Sequence, residues 1–179
     1  MKARAETMSV LGRQRKGRTG EAAAQRGFSL IELLIVVAII LIIAAIAIPS
    51  LIKSKMSANE ASAVGSIRTI TTAENTYAAT CPATGFSATL MELNTGAICA
   101  GGQGILDDIL GASDPSFKSG YQFTYTVTAV GGVNTAFTIT GLPVTAGITG
   151  QRGFYSDQTD VIRYSLTGIA PTNASSPLE

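Results

Sequence analysis

The most constraining feature of the chain is an apolar run that begins at Phe28 and ends before Pro49. Its 21 residues would extend about 31 Å as a helix, close to the hydrocarbon thickness of a bilayer. Ser29 and Glu32 are its only polar side chains, and both lie near its start. A carboxylate at the centre of a membrane-length helix costs about 2.5–3.5 kcal/mol. We therefore expect Glu32 to have a charged partner.

Charge is distributed unevenly on the two sides of Phe28. Residues 1–27 carry seven basic and two acidic side chains, whereas residues 28–179 carry six basic and ten acidic ones. A basic flank before an apolar run predicts a cytoplasmic N-terminus and an exported C-terminal part. A nucleic-acid-binding arm is the alternative interpretation of the basic flank. The apolar run follows it at once, however, and without residues 1–27 the chain has no basic surface for DNA.

The run differs from a secretory signal peptide. Such a signal has an apolar core of about 7–15 residues with a small-residue cleavage site after it. This run is longer, and the chain continues past it into a polar helical pattern, so we expect the run to remain on the protein. The candidate cleavage site precedes it, between Gly27 and Phe28, where a small residue can enter a narrow active site. A plain membrane anchor, the alternative, explains the apolar length but not the placement of Glu32.

Residues 26–49, RGFSLIELLIVVAIILIIAAIAIP, closely resemble the N-terminus of type IV pilins and their pseudopilin relatives. The resemblance covers about residues 26–75. It implies that residues 1–27 are a leader, or a shorter one if Met8 is the true start. It also implies that prepilin peptidase cuts after Gly27 and that the new N-terminal residue, Phe28, is methylated.

The same resemblance implies a role for Glu32 in assembly. Its carboxylate would meet the freed amine of a Phe28, either in a neighbouring subunit or in the same chain before assembly. Opposite charges attract strongly in a low dielectric, and each offsets the cost of burying the other. Glu32 would then fix the register of subunits rather than act in catalysis.

We predict one long helix from Phe28 to about residue 79, bent near Pro49 because proline removes a backbone hydrogen bond. Residues 28–49 form its apolar half, for the membrane or a filament core, and residues 50–80 its amphipathic half. Cys81-Pro82 ends it. The packing face, at helical spacing, is predicted to contain Ile52, Met56, Asn59, Ala63, Ile67, Ile70 and Tyr77. Residues predicted off that face are Lys53, Ser57, Glu60 and Arg68.

A segment rich in glycine and serine, residues 81–120, connects the helix to the predicted strands. It contains the only cysteines of the chain, Cys81 and Cys99. In an exported region an even number of cysteines favours a disulfide. Metal and redox roles have little support, since the sequence has no histidine and no CxxC.

A short helix is predicted around Gly104–Leu110 in this connecting segment. It would carry Asp107 and Asp108, which we interpret as part of a solvated face. The alternative is a metal-binding pair, but adjacent residues project in different directions on a helix.

Residues 121–179 are predicted to form an antiparallel sheet and a C-terminal tail. The first strand alternates apolar and polar residues, and Gly131-Gly132 signals a hairpin after it. The predicted strands are Tyr121–Val130, Ala136–Thr140, Phe154–Ser156 and Val161–Leu166. A sheet with one apolar face needs a cover, which the amphipathic half-helix supplies. The predicted class is therefore α+β, which is also the lollipop fold that the resemblance implies.

Two polar features near the C-terminus have alternative interpretations. Asp157 and Asp160 are candidate calcium ligands, because the major pseudopilins that the chain resembles bind calcium in this region. Calcium takes six to eight oxygens, so a simple turn is the favoured interpretation. Asn173 begins a match to the N-glycosylation sequon, which carries little weight in a bacterial exported tail.

Enzyme motifs such as GxSxG, HExxH and Walker A are absent from the sequence, and so is histidine as a general base. We expect no catalytic residue and no cofactor. The leading hypothesis is the structural subunit of a type IV pilus, a homopolymer. Its partners would be prepilin peptidase, the inner-membrane assembly machinery and, before assembly, the bilayer. The alternatives are a pseudopilin of a type II secretion system and, from another class, a bitopic membrane receptor or binding module.

Overall fold

A computed structural model describes residues 27–95, 104–166 and 169–178 of the chain. The chain divides into two units, residues 1–41 and 42–179. The described part of the first unit is a short non-helical stretch followed by the beginning of a helix. The second unit contains the rest of that helix, a short second helix and the sheet.

The predicted long helix is confirmed as α1, Leu30–Thr80, a run of 51 residues that continues through Pro49. It ends just before Cys81-Pro82, as the proline predicts. The Cys81 N–H still donates to the Tyr77 carbonyl at 2.8 Å, which closes the last turn. The bend near Pro49 stays a prediction.

The packing face of α1 is largely as predicted, with two corrections. Ala63, Ile67, Ile70 and Tyr77 are buried. Glu60 was predicted off this face but is only 8% exposed, because backbone amides and an arginine from the sheet region bind its carboxylate. Ile52 was predicted on it but is 45% exposed, because the helical spacing continues beyond the turns that the globular part covers.

The sheet has six antiparallel strands in sequential order. They are β1 Ser116–Lys118, β2 Tyr121–Val130, β3 Val133–Pro143, β4 Gly153–Asp157, β5 Arg163–Ser165 and β6 Ser176–Pro177. The predicted strands correspond to β2, β3, β4 and β5, with β3 longer and β5 shorter than predicted. The outermost strands β1 and β6 were missed, because two or three residues show no alternation. Gly131 and Gly132 form the predicted hairpin with φ of 62° and 86°, values that favour glycine.

The short helix predicted at Gly104–Leu110 is wrong, because these residues form turns. The Asp107 carboxylate accepts the Leu110 N–H at 2.8 Å, and a side chain that takes a backbone donor locally competes with helix formation. Leu93 adds a second constraint, since its carbonyl accepts the N–H groups of both Ile105 and Leu106. The short helix α2 lies instead at Leu90–Thr95.

The core lies where α1, α2 and one face of the sheet meet. Ile67 and Ile70 of the helix and Leu90 and Leu93 of α2 are fully buried. The sheet contributes Tyr121, Phe123, Phe137, Ile139 and Phe154, all fully buried as well. The α+β class with a long helix packed on an antiparallel sheet is therefore confirmed.

Candidate assembly site at the N-terminal helix

The residues of the predicted cleavage site precede the first helical turn. Gly27, Phe28 and Ser29 are exposed and non-helical, and Phe28 is 90% exposed. A Cβ added at Gly27 would meet no atom within 4 Å. A cut after Gly27 stays a prediction, and on its C-terminal side the described residues are exposed and precede the helix.

Glu32 caps the start of its own helix. Its Oε2 accepts the backbone N–H of Ser29 at 2.8 Å, and the Ser29 carbonyl accepts the Leu33 N–H at 3.2 Å. Ser29 is thus the N-cap residue and Glu32 the N3 residue, an arrangement in which a glutamate satisfies a backbone donor that the helix leaves free. The Ser29 nitrogen that Glu32 binds is the next backbone nitrogen after that of Phe28, which cleavage would convert into a charged amine.

The apolar half of α1 presents aliphatic side chains in every direction. From Leu30 to Ile52 each large aliphatic side chain is between 45% and 81% exposed. This helix is the one in the described part of the chain that is long and apolar enough to cross a membrane, with a mean hydropathy of 3.3 over its best window. A helix that is apolar all round requires lipid or other apolar helices around it.

Pro49 lies inside α1, where it removes one backbone donor. The side chains around it are small or aliphatic and line a shallow open depression on the helix surface: Ala47, Ile48, Ser50, Leu51 and Ser54. Glu32 and Pro49 are our two candidate assembly residues, Glu32 through charge pairing and Pro49 through a bend in the helix, and both roles stay predictions.

The first part of this helix matches a known family model. Residues 23–48 match the model described as the prokaryotic N-terminal methylation motif. The chain carries the signature of type IV pilins and pseudopilins. No curated protein and no solved structure gave a match.

The pilin signature and the exposed apolar helix agree with each other. The motif implies processing by prepilin peptidase and assembly into a polymer. The apolar helix suits insertion of the precursor into a membrane.

The predicted disulfide between Cys81 and Cys99 stays a prediction. Cys81 is buried at the end of α1, but Cys99 lies outside the described residues.

The structure places the predicted calcium candidates in a turn after β4. Asp157 Oδ1 accepts both the N–H and the hydroxyl of Thr159, at 2.9 and 2.5 Å, and Oδ2 accepts the Tyr155 hydroxyl at 3.2 Å. Burial acts to raise the pKa of Asp157, but the Thr159 hydrogen bonds outweigh it, so this pKa lies below its usual range. Asp160 accepts from Asn75 of α1 at 2.8 Å. Protein donors thus occupy both carboxylates, and calcium binding stays an untested prediction.

Asp107 and Asp108 also have partners within the chain. Asp107 pairs with Lys118 at 2.8 Å, and Asp108 accepts from Asn94 at the same distance. Burial of Asp107 acts to raise its pKa, but the hydrogen bond from Lys118 and that from the Leu110 N–H lower it further than burial raises it. Among the described residues, no group of three or more histidine, cysteine or acidic side chains is placed to hold a metal ion.

Sequence reasoning missed the roles of three polar residues: Ser29, which precedes α1, and Glu60 and Glu74 within it. Ser29 is readable as an N-cap, because Ser29-Leu30-Ile31-Glu32 follows the capping-box spacing. Glu60 and Glu74 each lie seven residues from the buried Ile67, so both fall on the packing face by helical spacing. This spacing was the available signal, but Glu60 was predicted off the packing face and Glu74 was assigned to neither face.

Proposed function

We propose that this pilin-class chain is the structural subunit of a type IV pilus. The observation that carries the proposal is the methylation motif on a helix whose large aliphatic side chains are exposed on all sides. The precursor would lie in the inner membrane with its N-terminus in the cytoplasm. The mature subunit would then pass through the periplasm into a surface filament.

The proposed mechanism begins with cleavage after Gly27, which creates a charged amine at Phe28. The assembly machinery then draws the subunit out of the bilayer, and the apolar half-helices of many copies pack into a filament core. Lipid tails are as apolar as isoleucine, so the hydrophobic effect does not by itself favour the filament over the membrane. Close packing of the helices and charge pairing of Glu32 would supply the difference. No cofactor takes part in this mechanism.

The pseudopilin of a type II secretion system is the competing function. It would use the same cleavage and the same helix but would act as a piston in the cell envelope rather than as a surface fibre.

The deciding experiment is intact mass and N-terminal sequence of protein sheared from the cell surface. A methylated Phe28 at the N-terminus of sheared fibres is the expected result. The same mature species confined to the inner membrane would favour the pseudopilin. An uncut chain that starts at Met1 or Met8 would overturn both and support a membrane-anchored receptor.

A further inference from the structure

Glu74 is a buried carboxyl group that the proposed filament function does not use. It lies on α1 and is fully buried. Its Oε2 accepts the Ser87 N–H at 2.9 Å, and its Oε1 lies 2.5 Å from the Ser87 hydroxyl. These contacts join the long helix to the segment of residues 81–95, which contains α2.

Acidic and phenolic groups surround this carboxyl group. Tyr125 of β2 donates its hydroxyl to the Ser87 carbonyl at 2.9 Å, and it also lies against Glu74. Glu92 of α2 accepts the Ala88 N–H at 2.9 Å and contributes a second negative charge nearby. Tyr77, one turn further along α1, faces both carboxylates.

No cation compensates Glu74 in the described part of the chain. The two ion pairs found there, Lys118 with Asp107 and Arg152 with Glu60, lie elsewhere. Burial raises the pKa of Glu74, and although the Ser87 hydrogen bonds oppose this, the net direction remains upward. An ionised carboxylate at this position would be buried with hydrogen bonds but without a counter-charge, which is a costly arrangement.

The hydrogen-bond geometry fits the neutral acid. The Ser87 hydroxyl lies 3.1 Å from the Thr89 carbonyl as well as beside Glu74. If Oε1 carries a proton, it donates to Ser87 Oγ, and the Ser87 hydroxyl proton is then free to donate to Thr89. If Glu74 is ionised, the single Ser87 hydroxyl proton must turn to the carboxylate, and the bond to Thr89 is lost.

We propose that Glu74 and Ser87 form a proton-controlled latch that holds residues 81–95 against the long helix. The protonated carboxyl of Glu74 donates to Ser87 Oγ and closes the latch. Loss of this proton leaves a buried negative charge beside Glu92 and loosens the segment. The inference concerns the globular part alone and does not depend on whether the chain forms a pilus.

The pH dependence has a defined sign. A group whose pKa is higher in the folded than in the unfolded chain stabilises the fold fully below its unfolded pKa. That stabilisation is lost as the pH rises through the folded pKa. The latch is therefore closed in acid and opens toward alkaline pH.

The test is amide hydrogen exchange of residues 83–93 in the full chain in detergent micelles, between about pH 5 and pH 9, corrected for the intrinsic exchange rate. Wild-type protection should be constant at low pH and then fall by up to about tenfold per pH unit, as expected for loss of one proton. Glu74→Gln should stay protected throughout, because its amide donates to Ser87 Oγ and its carbonyl accepts the Ser87 N–H. Glu92→Gln is the matched control on the same segment: it should still lose protection as the pH rises, but at a lower pH than the wild type, because one of the charges that raise the pKa of Glu74 is gone.

Protection that does not change with pH in the wild type, or the same pH dependence in Glu74→Gln, would overturn the latch. If Glu74→Gln does not fold, the test is the pH titration of the 13C carboxyl resonance of Glu74 in the wild-type chain. Titration above the usual glutamate range supports the latch, and titration within or below that range rejects it.

Discussion

Arg152 Nε lies 2.7 Å from Glu60 Oε2, and this ion pair ties the loop before β4 to the long helix. Glu60 Oε1 also accepts the N–H groups of Gln151 and Arg152, at 2.8 and 3.1 Å. The Arg152 guanidinium lies over the rings of Phe154 and Tyr164. The long helix and the loop before β4 therefore meet at one nearly buried carboxylate, next to strands β4 and β5.

Glu60→Ala should lower the free energy of unfolding by about 1–3 kcal/mol, the cost of leaving buried donors without an acceptor, since the Arg152 side chain is 36% exposed. Two backbone donors and the Arg152 guanidinium would lose their acceptor. Lys118→Ala is the matched control, since its pair with Asp107 is more exposed and should cost less than about 1 kcal/mol. Chemical denaturation of the full chain in detergent measures both. Equal losses in the two variants would contradict the special role of Glu60.

Acid should weaken the contribution of Glu60. Burial acts to raise its pKa, but the hydrogen bonds from Gln151 and Arg152 outweigh burial and hold the pKa below its usual range. A lowered folded pKa means that the stabilisation is present above the unfolded pKa and is lost as the pH falls through the folded one. The difference in melting temperature between wild type and Glu60→Gln should therefore shrink below about pH 4. A constant difference from about pH 7 to pH 3 would refute this assignment.

Glu32→Ala should leave membrane insertion intact and reduce fibre yield. Glu32→Gln separates two reasons for this, because glutamine can still accept the Ser29 N–H but carries no charge to pair with an amine. If charge pairing matters in assembly, the glutamine variant will be as defective as the alanine variant. Sheared fibre yield and membrane fractionation are the measurements. If Glu32→Ala gives as much sheared fibre as the wild type, the proposal that Glu32 fixes subunit register is wrong.

Gly27→Val should accumulate as an uncut precursor. A side chain at Gly27 would meet no neighbouring atom within 4 Å, so the substitution should act on processing and not on folding. Gly27→Ala is the matched control, since a single methyl group should still enter a narrow peptidase site. Intact mass of the membrane-bound protein reports the cut, and normal processing of Gly27→Val would place the cleavage site elsewhere.

Cys81 and Cys99 should be joined in the exported protein. The intact chain should then resist alkylation until it is reduced, and after reduction both cysteines should react. Closing this loop would contribute about 3 kcal/mol in the chain-entropy model, so reduction should also lower the melting temperature. Alkylation of the unreduced, unfolded chain at either cysteine would rule the disulfide out.

Local patterns predicted the elements that depend on local physics. The apolar length predicted the long helix, the proline after Cys81 predicted its end, and the alternation of Tyr121–Val130 predicted strand β2. Composition alone could not locate β1 or β6, whose two or three residues are strands only because a neighbouring strand supplies their hydrogen bonds. The same limit explains the helix wrongly predicted at Gly104–Leu110, where bonds to Leu93 and to the Asp107 side chain override the local pattern.

By itself, the sequence determined that this chain has a membrane-length apolar helix with one carboxylate near its start, because segment length and hydropathy are properties of consecutive residues. It also carried the methylation motif, which is defined by consecutive residues, 23–48. Only the tertiary structure decided which acidic residues are buried. Glu60 and Glu74 lie on the packing face because distant backbone amides and side chains, from Arg152 and Ser87, satisfy them there, and no pattern within the helix specifies those partners.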